Sequence, residues 1–202
     1  MPNLPRGFVT GWLVILGVIL LLTVAACSTD DQPGAVNETS APDSGGSEMR
    51  LTANGCAADC TFANDEEFTL AVEIAAIPAG GYIGVQSVID FGADLTYNAA
   101  AAADEIVWPD CEPVIALSEL ISSTLVNHGC LTGPIPPLPV STFAGNFVEL
   151  SLTCSSGSSQ TEVRLLPSGD PIARTSGAAF VAEDLVTQFV PKITDLTVIC
   201  GD

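Results

Sequence analysis

The run EFTLAVEI, residues 67–74, constrains the fold more than any other stretch of the chain. Phe68, Leu70, Val72 and Ile74 alternate with Thr69, Ala71 and Glu73. Successive side chains of an extended strand point to opposite faces, so this spacing predicts a strand with one buried and one wet face. Pro78, Gly80 and Gly81 then break the chain. IGVQSVIDF follows with Ile83, Val85, Ile89 and Phe91 in phase. Further on, FVELSLTC sets Val148, Leu150, Leu152 and Cys154 on one face, and ITDLTVIC does the same with Leu196, Val198 and Cys200. TEVRLL, after the turn Ser155–Ser159, is expected to fold back on FVELSLTC as a hairpin. Roughly seven to nine short strands separated by Gly, Pro and Ser turns predict an antiparallel β-sandwich.

Two segments read either way. YNAAAAADEIVW has an alanine run that suits a helical turn or two before Ile106, and AEDLVTQFV spaces Leu185, Val186 and Phe189 as a short helix would. Residues 111–140 form the longest stretch expected to be irregular. Within it Pro134, Pro136, Pro137 and Pro139 impose an extended path, read as a stiff crossover between sheets.

The first residues tell a different story. Arg6 is the only charged side chain before Asp30, and residues 8–26 are apolar apart from Thr10, Gly11, Gly17 and Thr23. Such a run is long enough to cross a bilayer as an uncleaved signal anchor, with Arg6 inside. A charged start, an apolar middle and small residues before a break also describe a secretory signal peptide. Val24-Ala25-Ala26-Cys27 resembles the lipobox of bacterial lipoproteins. That resemblance implies cleavage before Cys27, lipidation of its thiol, and an extracytoplasmic protein anchored in the cell membrane by its lipid. Two or three acyl chains, at ~0.8 kcal/mol per buried CH₂, anchor firmly without a spanning helix. The expected organisation is a signal peptide over residues 1–26, an acidic flexible tether over 27–48 and one folded domain over 49–202. Asn37-Glu38-Thr39 in the tether fits a glycosylation sequon, read as idle in a bacterial protein.

An exported chain with seven cysteines is expected to make disulfides, and removing Cys27 turns an odd count into an even one. Cys56, Cys60, Cys111, Cys130, Cys154 and Cys200 remain, and six thiols allow 15 pairings. Cys111 with Cys130 is the expected bridge, because it would pin the middle segment. Cys154 and Cys200 sit inward by strand parity, with Cys56 or Cys60 as candidate partners near the start. Zinc at Cys56 and Cys60 lacks a second close pair or a nearby histidine, so no metal site is expected.

Charge excludes one class of partner. The net charge is -19, with five Lys+Arg against 24 Asp+Glu. Only Arg50, Arg164, Arg174 and Lys192 are cationic after Cys27, so nucleic acid would be repelled. Asp65-Glu66-Glu67 and Asp104-Glu105 could offer oxygens to calcium, the one cofactor kept open, against the ordinary alternative of acidic turns. His128 is the sole histidine, next to Gly129-Cys130, and reads as a loop or capping residue. No GxSxG elbow, HExxH helix or phosphate loop is present, so no catalytic residue is nominated and an enzyme is not expected. Trp108 is expected to pack against a disulfide in the core. With Tyr82 and Tyr97, it is also the material for an exposed row that could stack on sugars.

Residues 67–97 resemble the opening of a cohesin-type domain, in which a strand, a short loop and a second strand run into a Leu-x-Tyr landmark, here Leu95-Thr96-Tyr97. Residues 145–166 are similar to that family's later hairpin, where a glycine precedes an alternating strand. The resemblance implies a jelly-roll sandwich of about nine strands, related to carbohydrate-binding modules. It implies a binding or adhesion module for a dockerin-like protein or a polysaccharide. The six cysteines and the proline-rich crossover lie outside the pattern, and no binding residues are carried over from it. The other functional readings are a structural envelope lipoprotein without a discrete ligand, and a hydrolase whose site has no motif. If Cys27 carries the anchor, Cys27→Ala will move the protein from the membrane pellet to the soluble fraction; retention in the pellet would contradict lipidation.

Overall fold

A computed structural model describes residues 46–155, 157–173 and 177–201. Cys27, the tether before Gly46 and the sequon at Asn37 lie outside the described residues. The strands, in chain order, are β1 (Glu48–Ala53), β2 (Asp59–Ala63), β3 (Glu67–Ala76), β4 (Gly84–Asp90), β5 (Leu95–Asn98), β6 (Leu117–Ser122), β7 (Leu125–Leu131) and β8 (Gly145–Cys154). They continue as β9 (Ser159–Leu165), β10 (Ala179–Val181), β11 (Gln188–Phe189), β12 (Lys192–Thr194) and β13 (Leu196–Gly201). The alanine run resolves into a single helical turn, α1 (Ala102–Glu105).

The strands form two sheets. One has the order β12-β1-β3-β8-β5. In the other, β4 is central: β7 runs along one side, while β10 and β9 share the other side end to end. β6 lies outside β7, and β13 and β2 continue beyond β9. Most pairs are antiparallel, but β1 with β12 and β2 with β13 are parallel. The expected all-β sandwich is thus the observed architecture.

Alternation decides what is buried. Phe68, Leu70, Val72 and Ile74 of β3 face inward, as do Val148, Leu150, Leu152 and Cys154 of β8. Between the sheets, Tyr82 stacks on Trp108 with centroids 5.3 Å apart and meets Phe180 edge-on at 4.8 Å, while Phe147 meets Trp108 edge-on. Trp108 shares this cluster with Cys111 and Cys130. β4 departs from simple alternation because both its faces are covered: Val85 and Ile89 point into the main core, and Val88 into a smaller cluster with Leu125, Leu166 and Ala173.

Four expectations need correction. β8 and β9 are not a hairpin; β8 pairs with β3 and β5, whereas β9 pairs with β13 and β4 in the other sheet. The connection is held open by outside partners, since Ser155 N–H donates to Asp94 O and Gly157 N–H to Asn64 Oδ1. AEDLVTQFV is not helical. Asp184 Oδ1 accepts from the N–H groups of Val186 and Thr187 at 2.9 and 2.7 Å, a local alternative to helix that closes the β10–β11 hairpin with Leu185 at φ 61°. Residues 111–140 are not wholly irregular, because β6 and β7 form a hairpin inside them. The proline-rich part does link β7 of one sheet to β8 of the other. Finally, Cys154 and Cys200 bridge each other rather than Cys56 or Cys60. β8 and β13 lie in opposing sheets, and both side chains are buried between them.

The other bridges join Cys56 to Cys60 and Cys111 to Cys130. Sequence separations of 46, 19 and 4 residues order their entropic effect on the unfolded chain. Loop-closure entropy gives ~4, ~3 and ~2 kcal/mol for the long, middle and short loops. Paired Cys→Ala variants should therefore lower the urea midpoint most for Cys154/Cys200, less for Cys111/Cys130 and least for Cys56/Cys60.

Candidate functional site

His128 is not a loop residue. It lies in the middle of β7, opposite Ser118 of β6 and Ser87 of β4. Its parity with Val126 and Cys130 turns it toward the core, and it is fully buried. The inward position makes a polar partner obligatory. Glu105, at the end of α1 and also buried, supplies it: Glu105 Oε2 lies 3.1 Å from His128 Nε2. Ser118 Oγ donates to the same carboxylate oxygen at 2.5 Å and sits 3.2 Å from His128 Nε2. Glu105 Oε1 accepts from the Tyr97 hydroxyl and, at 3.0 Å, from Ala100 N–H.

A serine, a histidine and a buried carboxylate within hydrogen-bond reach suggest a hydrolytic triad, yet the geometry opposes one. In a triad the serine and the acid engage different ring nitrogens. Here both engage Nε2, while Nδ1 is buried without a partner. Glu105 stands beside Nε2, so that nitrogen must carry the proton, since two lone pairs at 3.1 Å would repel. It is then unable to accept one from Ser118, whose own proton goes to Glu105. The cluster ties β5 of one sheet to β6 and β7 of the other through α1. It is a structural clasp.

The clasp sets its own ionisation. Burial is the largest single influence on Glu105 and pushes its pKa up. Hydrogen bonds from His128, Ser118, Tyr97 and Ala100 together outweigh it, and hold the carboxyl down at about 2. Burial, and then the bond to Glu105, push the Tyr97 phenol up to about 12.

The acidic runs hold no cation cage: among the described residues, no three His, Cys, Asp or Glu side chains converge as metal ligands. Asp65 is a left-handed turn residue at φ 60°, and Glu66 accepts from Ala63 N–H. Nor do the aromatics form an exposed row. Trp108 and Tyr82 are buried, and among the described residues no aromatic is one of the exposed large apolar side chains.

The surface feature with a coherent chemistry lies on the outer face of β10-β4-β7-β6. The registers define two rows across these strands. One joins Val181, Gly84 and Leu131; the other joins Ala179, Gln86, Gly129 and Leu117. Two glycines flatten the centre. Leu131 lies across Gly84, where a Cβ would meet its Cδ2 at 2.3 Å, whereas the nearest heavy atom to a Cβ on Gly129 would be 3.7 Å away. The result is a shallow depression of about 190 Å³, whose lining includes Ile115. These residues carry no surface signal while 111–140 is taken as irregular; only as a strand does TLVNHGCL place Leu125, Asn127, Gly129 and Leu131 on a shared face. A second depression, about 490 Å³, lies on the opposite sheet around Arg50, Glu73, Asn146 and Glu149. Its polar groups are largely spent on one another: Arg50 grips both oxygens of Glu73 at 2.8 Å, and Asn146 donates to Glu149 at 2.7 Å.

No protein-family profile matches the sequence, and no curated protein matches it. Solved structures do match. A chain of the type I cohesin–dockerin complex Coh-OlpC-Doc435 from Clostridium thermocellum aligns with a TM-score of 0.59 over 81% of this chain and 98% of its own, at 8% identity. The sixth cohesin of scaffoldin B from Acetivibrio cellulolyticus, solved in complex with a Cel5 dockerin, aligns at 0.54 over 76% of this chain and 97% of its own, at 18% identity. The cohesin module of a family 33 glycoside hydrolase from Clostridium perfringens aligns at 0.50, with 9% identity, over 77% of this chain and 96% of its own. The fold is cohesin-like. At these identities the likeness concerns architecture, and the cohesin-like sandwich expected from residues 67–97 and 145–166 is the one observed.

The clasp makes a pH-dependent contribution with a defined sign. Glu105 ionises at about 2 in the folded chain, below the usual ~4.3 of an unfolded glutamate, so its stabilisation is complete above ~4.3 and is lost as pH falls through about 2. Glu105→Gln should cost ~2 kcal/mol at neutral pH, because a buried network loses its charge and one of its two acceptor oxygens becomes an amide donor facing other donors. The gap between the urea midpoints of wild type and Glu105→Gln should narrow as pH is lowered from ~5 toward 2. A gap that does not change with pH would refute the ionised clasp.

Proposed function

We propose that the chain is a non-catalytic binding module, tethered by residues 27–48 to a membrane through lipid on Cys27, whose domain over residues 49–202 takes a protein partner of dockerin type. One observation carries this reading: the outer face of β10-β4-β7-β6 is a shallow, apolar, glycine-floored shelf with no exposed aromatic. Carbohydrate sites rely on aromatic faces for stacking, whereas flat apolar patches rimmed by polar groups suit protein surfaces. The cohesin-like fold supports the same reading, because the solved structures it resembles include cohesins in complex with dockerins. The arrangement around His128 gives catalysis no support, since its Nε2 serves Glu105. A net charge of -19 favours a partner with basic residues at the rim of the shelf.

The test is calorimetric titration of the disulfide-intact chain with purified dockerin modules, alongside a glycan panel. Binding to a dockerin module is expected, weakened about tenfold or more by Leu131→Asp or Val181→Asp at an unchanged unfolding midpoint. Glycan binding with no dockerin binding, or dockerin binding indifferent to both substitutions, would overturn the assignment.

A further inference from the structure

The shelf ends at β6, and β6 ends the sheet. Its only strand neighbour among the described residues is β7, so the backbone groups on its far side have no ladder partner. Proteins commonly protect such edges with lysine, proline or inward charges. The edge strand β12 of the other sheet follows this rule, with Pro191 leading into Lys192. β6, LSELIS, has neither lysine nor proline, and two of its large apolar side chains, Leu117 and Leu120, are 44% and 51% exposed. Val114, three residues before the strand, is 86% exposed. The register shift between Leu120 and Ser122 leaves the straight, pairable stretch at residues 117–120.

Charge selects the occupant. Glu119 stands in the middle of this stretch, and none of the four cations after Cys27 lies on β4, β6 or β7. A second copy pairing antiparallel through the same residues would bring its own Glu119 opposite or diagonal to the first. Like charges so placed across a strand pair are destabilising. A lysine or arginine from another protein gains at that position; an apolar residue next to it would cover Leu120 on the inner side, and one two positions along would cover Leu117 on the outer side.

We infer that an extended segment of a protein partner, with a basic residue flanked by apolar ones, adds to β6 as a further strand and continues the shelf by one position. The inference rests on the protein-binding reading above and specifies its mode. Main-chain hydrogen bonds supply attachment, and the side chains opposite Glu119, Leu117 and Leu120 supply selectivity.

The test uses short fluorescent peptides alternating valine and threonine around a central lysine or a central glutamate. They are titrated into the full-length chain in detergent with its disulfides intact, and amide exchange is recorded in parallel. The lysine peptide should bind about tenfold tighter than the glutamate peptide, Glu119→Lys should reverse that order, and amides of residues 117–122 should gain protection. Absence of protection there, an order unchanged in Glu119→Lys, or self-association of the chain through β6 would each overturn the inference. Val181→Asp separates the two proposals, because it lies at the far end of the shelf. A dockerin module that binds in a Val181-sensitive way without protecting β6 refutes strand addition and leaves the protein-binding reading standing.

Discussion

Glu105 is the point on which the sandwich closes. A sandwich of two twisted sheets gapes where their edge strands part, and here the gap lies between β5 and the β6–β7 hairpin. The chain spans it with α1, a single turn too short to be stable alone. Backbone bonding of Ile106 and Val107 to β8 holds its exit, and one carboxylate ties the turn to both sheets by collecting Tyr97 from β5, Ser118 from β6, His128 from β7 and the N–H of Ala100 from the approach to the turn. A buried charge of this kind is tolerable only when its lone pairs are filled, and Glu105 meets that condition from both sheets. Replacing any one donor leaves the others aimed at a poorly satisfied acceptor, so the network behaves as a unit.

That dependence explains which parts of the fold were legible in the sequence. β3, β8 and β13 have one wet face and one buried face, so their alternation is visible and their orientation follows. β4 and β7 are covered on both sides over part of their length, and β7 places a histidine and Cys130 inward with an asparagine outward, a pattern that no binary reading of polarity identifies as a strand. His128 looks like a loop residue because its burial depends on a partner distant in sequence: Glu105 is 23 residues away. The segment around Asp184 failed for the opposite reason. Its apolar spacing suits a helix, and only the aspartate's bonds to the next backbone N–H groups turn it into a hairpin. The candidate surface was illegible for the same cause as β7, since Gly129 and Leu131 acquire a common face only once the segment is known to be extended.

Burying polar groups on the inside of the second sheet has a consequence on its outside. With Val126, His128 and Cys130 committed inward, the outward positions of β7 are Leu125, Asn127, Gly129 and Leu131. Leu125 is covered by the small cluster with Val88, Leu166 and Ala173, but no such cover reaches Gly129 or Leu131. The same strand therefore carries the clasp on one face and the shelf on the other. Their shared backbone links the stability of the closed edge to the geometry of the proposed binding face.

The acidic surface and the disulfides make sense together. A net charge of -19 keeps a protein soluble and separate from its copies, but it also strains the compact state through self-repulsion. Disulfides oppose that strain without adding buried area, because they act mainly on the unfolded chain. Their placement matters as well. Cys154–Cys200 joins the end of β8 to the end of β13 across the two sheets, and Cys111–Cys130 fastens the approach to β6 onto β7. Both act where parting sheets would first separate, one between the layers and one beside the clasp. A domain so fastened can tolerate an apolar shelf and an edge strand without a ladder partner on an acidic surface, where charge keeps like molecules apart and favours the proposed partner of opposite charge.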